Sequence, residues 1–208
     1  MKSKKIYLVR HGQTDYNLNG IVQGSGIDAS LNEKGRQQAN IFYNSFKDIS
    51  FDKVYTSALK RSIQSVQMFI DDGVEHQVVP ELNEINWGNR EGVKITPEED
   101  AYYHSVLRQW QEGNITLEIE GGESPQQVFD RQTKALNIVL SNEEEETILI
   151  CMHGRAMRIL LCQMLNYPLY CMDMFEHTNL CLYKLNYTGS MFSVKLFNYT
   201  KHLNGHFS

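Results

Sequence analysis

Lys5-Ile6-Tyr7-Leu8-Val9-Arg10-His11-Gly12-Gln13-Thr14 is the stretch that decides the fold. Its apolar, partly β-branched half ends abruptly in charged, glycine and polar residues, which predicts a short buried strand over 5–9. Similar runs at 52–56, 76–79 and 147–152 predict three more strands. Helical periodicity fills the intervals. A helix is expected from Leu31-Asn32 onward, with Ala39, Phe42, Phe46 and Ile49 on one face, and a second over 57–70 with Ile63, Val66 and Ile70 inward. Further helices are expected over 97–110, from Ser124 to about residue 140, and over 156–165. Ser124-Pro125-Gln126-Gln127 is a start signal, with Ser as N-cap, Pro in the first turn and Gln at the reciprocal capping position. Residues 180–185 and 191–197 alternate as a terminal hairpin across Gly189. Strands alternating with helices predict an α/β fold of three layers, α/β/α, with a mostly parallel central sheet and a C-terminal antiparallel hairpin.

The chain has 208 residues, 41% of them hydrophobic and 22% charged, which suits one globular domain over 1–208. A formal net charge of −5 argues against nucleic acid as a partner, since a phosphate backbone is normally met by a basic stripe. The apolar stretch after Lys5 is too short for an export signal, and no run has the length of a membrane span. Cys151, Cys162, Cys171 and Cys181 lack paired zinc-type spacing, so reduced thiols in a cytoplasmic protein are expected. The acidic run 143–146 reads as a solvated helix end or loop without a role. Nothing in the sequence specifies an oligomeric state.

In parallel sheets ligands sit beyond the carboxyl ends of the strands, and the unusual polar residues lie there. Arg10 and His11 follow the first strand, Ser57 and Arg61 the second, Glu84 the third and His153 the fourth. Singly, each has an ordinary explanation as a structural histidine, a solvated arginine or a surface glutamate. Jointly, two histidines, two arginines and a carboxyl group at one sheet edge describe an anion pocket with an acid beside it.

The segment 10–14 resembles the signature of the histidine phosphatase superfamily, the group that includes cofactor-dependent phosphoglycerate mutases. The resemblance continues, in the family's order, through Asn17, Gln23-Gly24, residues 31–35, residues 56–61, residues 82–88, Glu91-Gly92, residues 121–124 and His153-Gly154. It implies a phosphoglycerate mutase-like fold in which His11 attacks phosphorus and becomes phosphohistidine. Arg10, Arg61 and His153 would hold the phosphoryl oxygens, with Asn17 as a neutral donor, and Glu84 would protonate the leaving oxygen. Thr14, Gln23, Gly24, Trp87 and Gly154 would lie at substrate-binding positions.

The chemistry of these residue types agrees. Phosphoryl transfer depends on positioning and on neutralising charge on the equatorial oxygens, and guanidiniums stay charged while offering planar paired donors. At an effective dielectric near 20, one ion pair about 4 Å apart is worth roughly 4 kcal/mol. Neutral imidazole is a competent nucleophile once its other nitrogen is fixed, for which a backbone carbonyl near Gly12 is available. A zinc hydrolase is the rival for two histidines and a carboxylate, but the chain has no HExxH and no histidine cluster at ligand spacing. Arginines beside the nucleophile would also repel a cation. No metal and no cofactor are expected.

The substrate expected is a small phosphorylated metabolite, hydrolysed rather than isomerised. In the mutases resembled, the stretch after the Glu-Gly motif forms a cover with a lysine and an adjacent arginine pair. Here the corresponding helical cover, residues 93–120, offers only Lys94 and Arg108 as isolated cations. Phosphoglycerate mutase is the alternative activity, and a non-catalytic phosphate-binding regulator a remoter one, since such a protein would be expected to have lost at least one site residue. Three positions depart from the family pattern: Met152, Trp87 and Arg155. Arg155 reads either as charge added to the pocket mouth or as a solvated surface residue, and Trp87 either as packing or as a substrate contact. His177, His202 and His206 receive no role.

Overall fold

Alternation along the central strands sorts the apolar residues into two cores. In β1 (Lys4–Arg10), Ile6 and Leu8 enter one core and Tyr7 and Val9 the other. In β4 (Thr147–Met152), Ile148, Ile150 and Met152 are separated from Leu149 and Cys151 in the same way. The computed structural model describes residues 2–94 and 96–204, without the side chains of 97–100. It completes the sheet with β2 (Lys53–Thr56), β3 (His76–Val78), β5 (Leu182–Tyr187) and β6 (Phe192–Tyr199). Strand order is β3-β2-β4-β1-β5-β6. The β3-β2, β2-β4 and β4-β1 pairs are parallel, whereas β1-β5 and β5-β6 are antiparallel. The expected mostly parallel sheet with a C-terminal hairpin is the one observed.

Helices cover both faces. On one side α2 (Glu33–Phe46) and α3 (Lys60–Asp71) bring Phe42, Val66 and Phe69 onto Tyr7, Val9 and Leu149. On the other, α4 (Pro97–Gln111), α5 (Pro125–Ser141) and α6 (Gly154–Leu165) bring Trp110, Val128, Ala135 and Leu160 onto Ile6, Leu8 and Ile150. The start signal at Ser124 is realised as a full capping box with Gln127. A single-turn helix, α1 (Asp15–Leu18), interrupts the loop after β1 and is capped by Thr14.

Three details differ from the sequence expectation. In α3 the buried residues are Arg61, Ser62, Ser65, Val66 and Phe69, while Ile63 and Ile70 are only half-buried. The helix is rotated toward the polar residues because its first turn faces the site. Ile49 lies beyond the end of α2 but still packs on the core beneath it. Within the acidic run, Glu145 is buried: its Oε2 accepts from the Tyr55 hydroxyl at 2.6 Å, and Lys4 and Lys53 lie within 4.0 and 3.7 Å. A buried carboxylate needs such partners, and periodicity cannot reveal partners that come from two other strands.

The loop carrying His11 rests directly on the first turn of α2. Gln13 N donates to Gln38 Oε1 at 2.9 Å, Asn32 N to Gln13 O at 3.0 Å, and Gly12 N to Ser65 Oγ at 2.9 Å. A methyl group on Gly35 would stand 2.1 Å from Gln13 O, and one on Gly12 2.8 Å from Gly35 O. The close approach of the two backbones therefore requires glycine on both sides. Gly35→Ala is expected to destabilise the protein by about 1–3 kcal/mol, as overpacking does, and to lower turnover by displacing the His11 loop. Urea melts read together with steady-state kinetics check this; an unchanged midpoint and rate would show that the approach is not needed.

Candidate active site

His11 lies one residue past β1 and is 3% exposed. Its Nδ1 is 2.7 Å from the carbonyl oxygen of Gly12. A carbonyl only accepts, so Nδ1 carries the proton and the lone pair of the neutral ring is on Nε2. Nε2 has no hydrogen-bond partner among the described residues. Burial, then Arg61 and Arg10, hold the His11 pKa well below its ordinary value, which keeps the ring neutral and nucleophilic.

The second histidine stands beside the first, with ring centroids 5.1 Å apart. Arg61 Nε donates to His153 Nδ1 at 3.2 Å, so His153 carries its proton on Nε2, which meets Ser57 Oγ at 2.7 Å. Ser57 Oγ also accepts from Leu59 N at 3.1 Å, and Ser62 Oγ, 2.8 Å away, donates in turn to Leu59 O. This chain of donors fixes both tautomer and ring orientation, and it engages both nitrogens of His153. Burial, followed by Arg61, depresses the His153 pKa well below its ordinary value.

Arg61 is wholly buried. Its Nη1 donates to Ile27 O at 2.6 Å and its Nη2 to Gly24 O at 3.0 Å. Burial pulls its pKa down to about 10, leaving it cationic near neutrality. Of its five N–H groups two remain uncommitted. Among the described residues the Arg10 side chain makes one hydrogen bond, from Nη1 to His177 Nδ1 at 3.2 Å, and its buried Nε has no partner. The amide nitrogen of Gln23 is likewise buried without a partner, while its Oε1 accepts from Thr14 Oγ1 at 2.8 Å. Both orphaned donors belong to residues that line one cavity of about 280 Å³. Buried donors left unpaired in a native fold are uncommon and costly, and here they mark where an acceptor belongs.

Glu84, 6% exposed, sits against the N-terminus of α6. Its Oε1 accepts from Ile85 N at 2.9 Å and Ala156 N at 2.8 Å, and its Oε2 from Arg155 N at 3.1 Å. Three of the four lone-pair directions of the carboxylate are thus taken. The fourth, on Oε2, is open, and Glu84 lines the cavity. The carboxylate satisfies two of the N–H groups that every helix start leaves unpaired.

The structure therefore gathers Arg10, His11, Arg61, Glu84 and His153 at one sheet edge; of these Arg10 and Glu84 line the cavity, together with Asn17, Gln23, Trp87 and Gly154, while His11, Arg61 and His153 lie behind its wall. Thr14 and Gly24 lie behind the wall. Thr14 is fully buried and caps α1, while Gly24 supplies the carbonyl that holds Arg61. Gly154 has a steric reason for being glycine: a Cβ there would come within 2.7 Å of His177 and 3.4 Å of Arg10 Nε.

His177 and Asn179 were not legible as site residues, yet both belong to the site. His177 contacts Arg10, and burial with that arginine beside it takes its pKa down to about 2. Asn179 Nδ2 donates to His11 O at 3.0 Å and to Asn17 Oδ1 at 3.2 Å. These residues precede β5, which runs antiparallel to β1, so its beginning, not its end, lies at the ligand edge. The signal available was the polar run His177-Thr178-Asn179 immediately before an apolar strand. Arg155 is buried and lines the cavity, which excludes the solvated reading. His202 Nε2 donates to Leu180 O at 3.0 Å and its ring stacks on Tyr199, away from the cavity; His206 lies outside the described residues.

Comparison with known proteins agrees with this geometry. The profile of the histidine phosphatase superfamily (branch 1) matches residues 6–200, and the chain belongs to that family. It is 32% identical over 168 residues to the probable phosphoglycerate mutase GpmB of Erwinia tasmaniensis, covering 79% of this chain and 76% of the relative. It is 29% identical over 167 residues to phosphoserine phosphatase 1 of Hydrogenobacter thermophilus, covering 79% and 78%. The structure of phosphoserine phosphatase from Entamoeba histolytica in complex with 3-phosphoglyceric acid superposes with a TM-score of 0.83 at 25% identity, over 96% of this chain and 99% of that one.

The depressed pKa values of His11, His153 and His177 have a consequence for stability. Below the unfolded value of about 6.5 the unfolded chain binds protons that the folded chain refuses, so stability is complete above that pH and falls as pH drops. Each histidine contributes a slope approaching about 1.4 kcal/mol per pH unit. Urea midpoints are expected to fall steadily from pH 7 to pH 5, and more gently in His177→Gln. A flat profile would mean that these rings bind protons in the fold as readily as in the unfolded chain.

Proposed function

We propose that this protein is a phosphomonoesterase acting on small phosphorylated metabolites through a phosphohistidine at His11. The observation that carries the reading is a neutral His11, fixed through Nδ1 by Gly12 O, beside two arginines and an unpaired Arg10 Nε. In the first step the Nε2 lone pair forms a bond to phosphorus, the ester P–O bond breaks, and the leaving oxygen takes a proton from Glu84. In the second, water attacks phosphorus and returns its proton to Glu84, the N–P bond breaks, and orthophosphate leaves. Arg155 N is the one described donor to Glu84 Oε2, and the position left open on that oxygen gives the proton a place. Arg10 and the two free N–H groups of Arg61 would carry the charge of the equatorial oxygens, with His153 positioning Arg61.

Helix α4 would serve as the cover. Its Tyr103 ring lies 5.4 Å from Trp87, whereas Lys94 and Arg108 are exposed and do not line the cavity. A cover that supplies no cation to the cavity favours release of phosphate over retention of a bisphosphorylated intermediate. The relative in Erwinia tasmaniensis named as a probable phosphoglycerate mutase supports isomerisation as the second reading. The two separate on one assay: 3-phosphoglycerate with a trace of 2,3-bisphosphoglycerate, following free phosphate and 2-phosphoglycerate independently. Phosphate is expected to accumulate faster, an acid-labile phosphoenzyme to be trapped on rapid quenching, and both to vanish in His11→Ala. Isomer formation far outpacing phosphate release would put the mutase reading first.

The role given to Glu84 has its own test. Glu84→Gln should slow alkyl phosphate esters by about 10²–10⁴-fold, the usual range for general acid catalysis, and nitrophenyl phosphate far less, because that leaving group hardly needs a proton. Equal losses on both would reduce Glu84 to a structural cap of α6.

A further inference from the structure

Helix α6 carries two more cations to the cavity, beyond those assigned to the phosphoryl group. Arg155 and Arg158 both line it. Arg155 is 6% exposed; its Nη1 donates to Asp173 Oδ1 at 2.5 Å, and its Nη2 lies 3.4 Å from the Tyr103 hydroxyl. Its guanidinium stands 6.0 Å from the Trp87 ring and 5.7 Å from that of Trp110. Arg158 donates to the same oxygen of Asp173 and, through Nε, to Phe175 O at 2.9 Å. Asp173 Oδ2 accepts from Gln111 Nε2 at 3.0 Å.

One carboxylate is thus shared by two guanidiniums, so the cluster retains one positive charge. His177, the adjoining titratable group, is neutral. Each guanidinium has five N–H groups and commits two of them in described bonds. An arginine kept for packing alone needs no opening to a cavity, and a buried ion cluster of unbalanced sign costs stability unless something completes it. Asp173, Tyr103 and the indole of Trp87 hold Arg155 in one orientation, the preorganisation that recognition of a planar anion requires.

We propose that the substrate carries a carboxylate in addition to its phosphoryl group, and that Arg155 and Arg158 receive it. The proposal rests on the phosphomonoesterase reading and narrows it to small phosphorylated carboxylic acids. The single residual charge matches a carboxylate monoanion. A second phosphate dianion would leave excess negative charge beside Asp173 and Glu84. A cavity of about 280 Å³ lies just below the roughly 300–1,000 Å³ typical of drug-sized ligands, which suits a compact acid better than a nucleotide. The cations come from the first turns of α6, immediately after His153, and not from the cover.

The test uses matched ester pairs that differ at the carboxylate: phosphoserine against phosphoethanolamine, and 3-phosphoglycerate against glycerol 3-phosphate. For the wild-type enzyme kcat/KM is expected to favour the acid by about 10–100-fold in at least one pair, the worth of one charge-assisted bidentate contact. In Arg155→Met that ratio should fall toward one, whatever happens to the absolute rates, and Arg155→Lys should retain part of it. If Arg155→Met does not fold, as judged by its melting curve, Arg158→Gln supplies the same ratio. A wild-type enzyme indifferent to the carboxylate in both pairs overturns the proposal, as does a preference that survives in the arginine variants. If the wild type hydrolyses no ester at all, the phosphatase reading fails separately. The rise in melting temperature with 3-phosphoglycerate compared with glycerol 3-phosphate then decides the subsite alone: a larger rise with the acid upholds it, and equal shifts reject it.

Discussion

Positive charge buried without a matching anion is the constraint on which the site depends. Arg61 has no exposed surface and Arg10 has a buried nitrogen with no partner, while the nearest carboxylate, Glu84, is committed to backbone N–H groups. The fold tolerates this by substituting dipoles for charge. The carbonyls of Gly24 and Ile27 hold Arg61, and three neighbouring histidines respond by staying neutral. Such an arrangement is poor for stability and well suited to a dianion, because the binding partner supplies the missing charge without any reorganisation of the donors.

Holding donors in place against that electrostatic cost requires rigid contacts elsewhere. Leu180 adopts φ +56°, a left-handed conformation rare for a branched side chain and worth about 1–3 kcal/mol of strain. Its amide donates to Arg10 O at 3.1 Å, and the strained turn places the Asn179 side chain against His11 O and Asn17. On the opposite side of the same loop, Gly12 and Gly35 pack backbone to backbone. The segment from Arg10 to Asn17 is therefore clamped between α2 and the turn before β5, so the position of the His11 ring is not left to rotamer choice.

What could be read from the sequence follows from this geometry. Arg10, His11, Arg61, Glu84 and His153 were legible because each ends or follows a parallel strand, and parallel strands all present their carboxyl ends at one edge. The covering helices were legible from periodicity, and the start of α5 from its capping box. His177 and Asn179 escaped because β5 runs the other way, a fact fixed by sheet order and not by any local pattern. The buried polar face of α3 escaped because periodicity assigns inward positions to isoleucine before serine, and only the site itself reverses that order. Arg155 was ambiguous because its partners, Asp173 and Tyr103, are 18 and 52 residues away, and one strand of text does not bring them together.

Helix α6 joins the two halves of the site. A helix N-terminus is ordinarily a place for a phosphate, but here the N–H groups of Arg155 and Ala156 are occupied by Glu84. In the proposed reaction the phosphoryl group would thereby be left to the arginines, and the carboxyl group that would exchange protons with the leaving oxygen and with water is held by backbone N–H groups. The same helix directs the side chains of Arg155 and Arg158 into the cavity from positions three residues apart, a rise of about 4.5 Å along its axis. In the proposed reading the proton donor, held by the N-terminus of α6, and the anion subsite, carried on it, would both be tied to one rigid element, and helix geometry would set the spacing between the leaving oxygen and the selective end of a substrate.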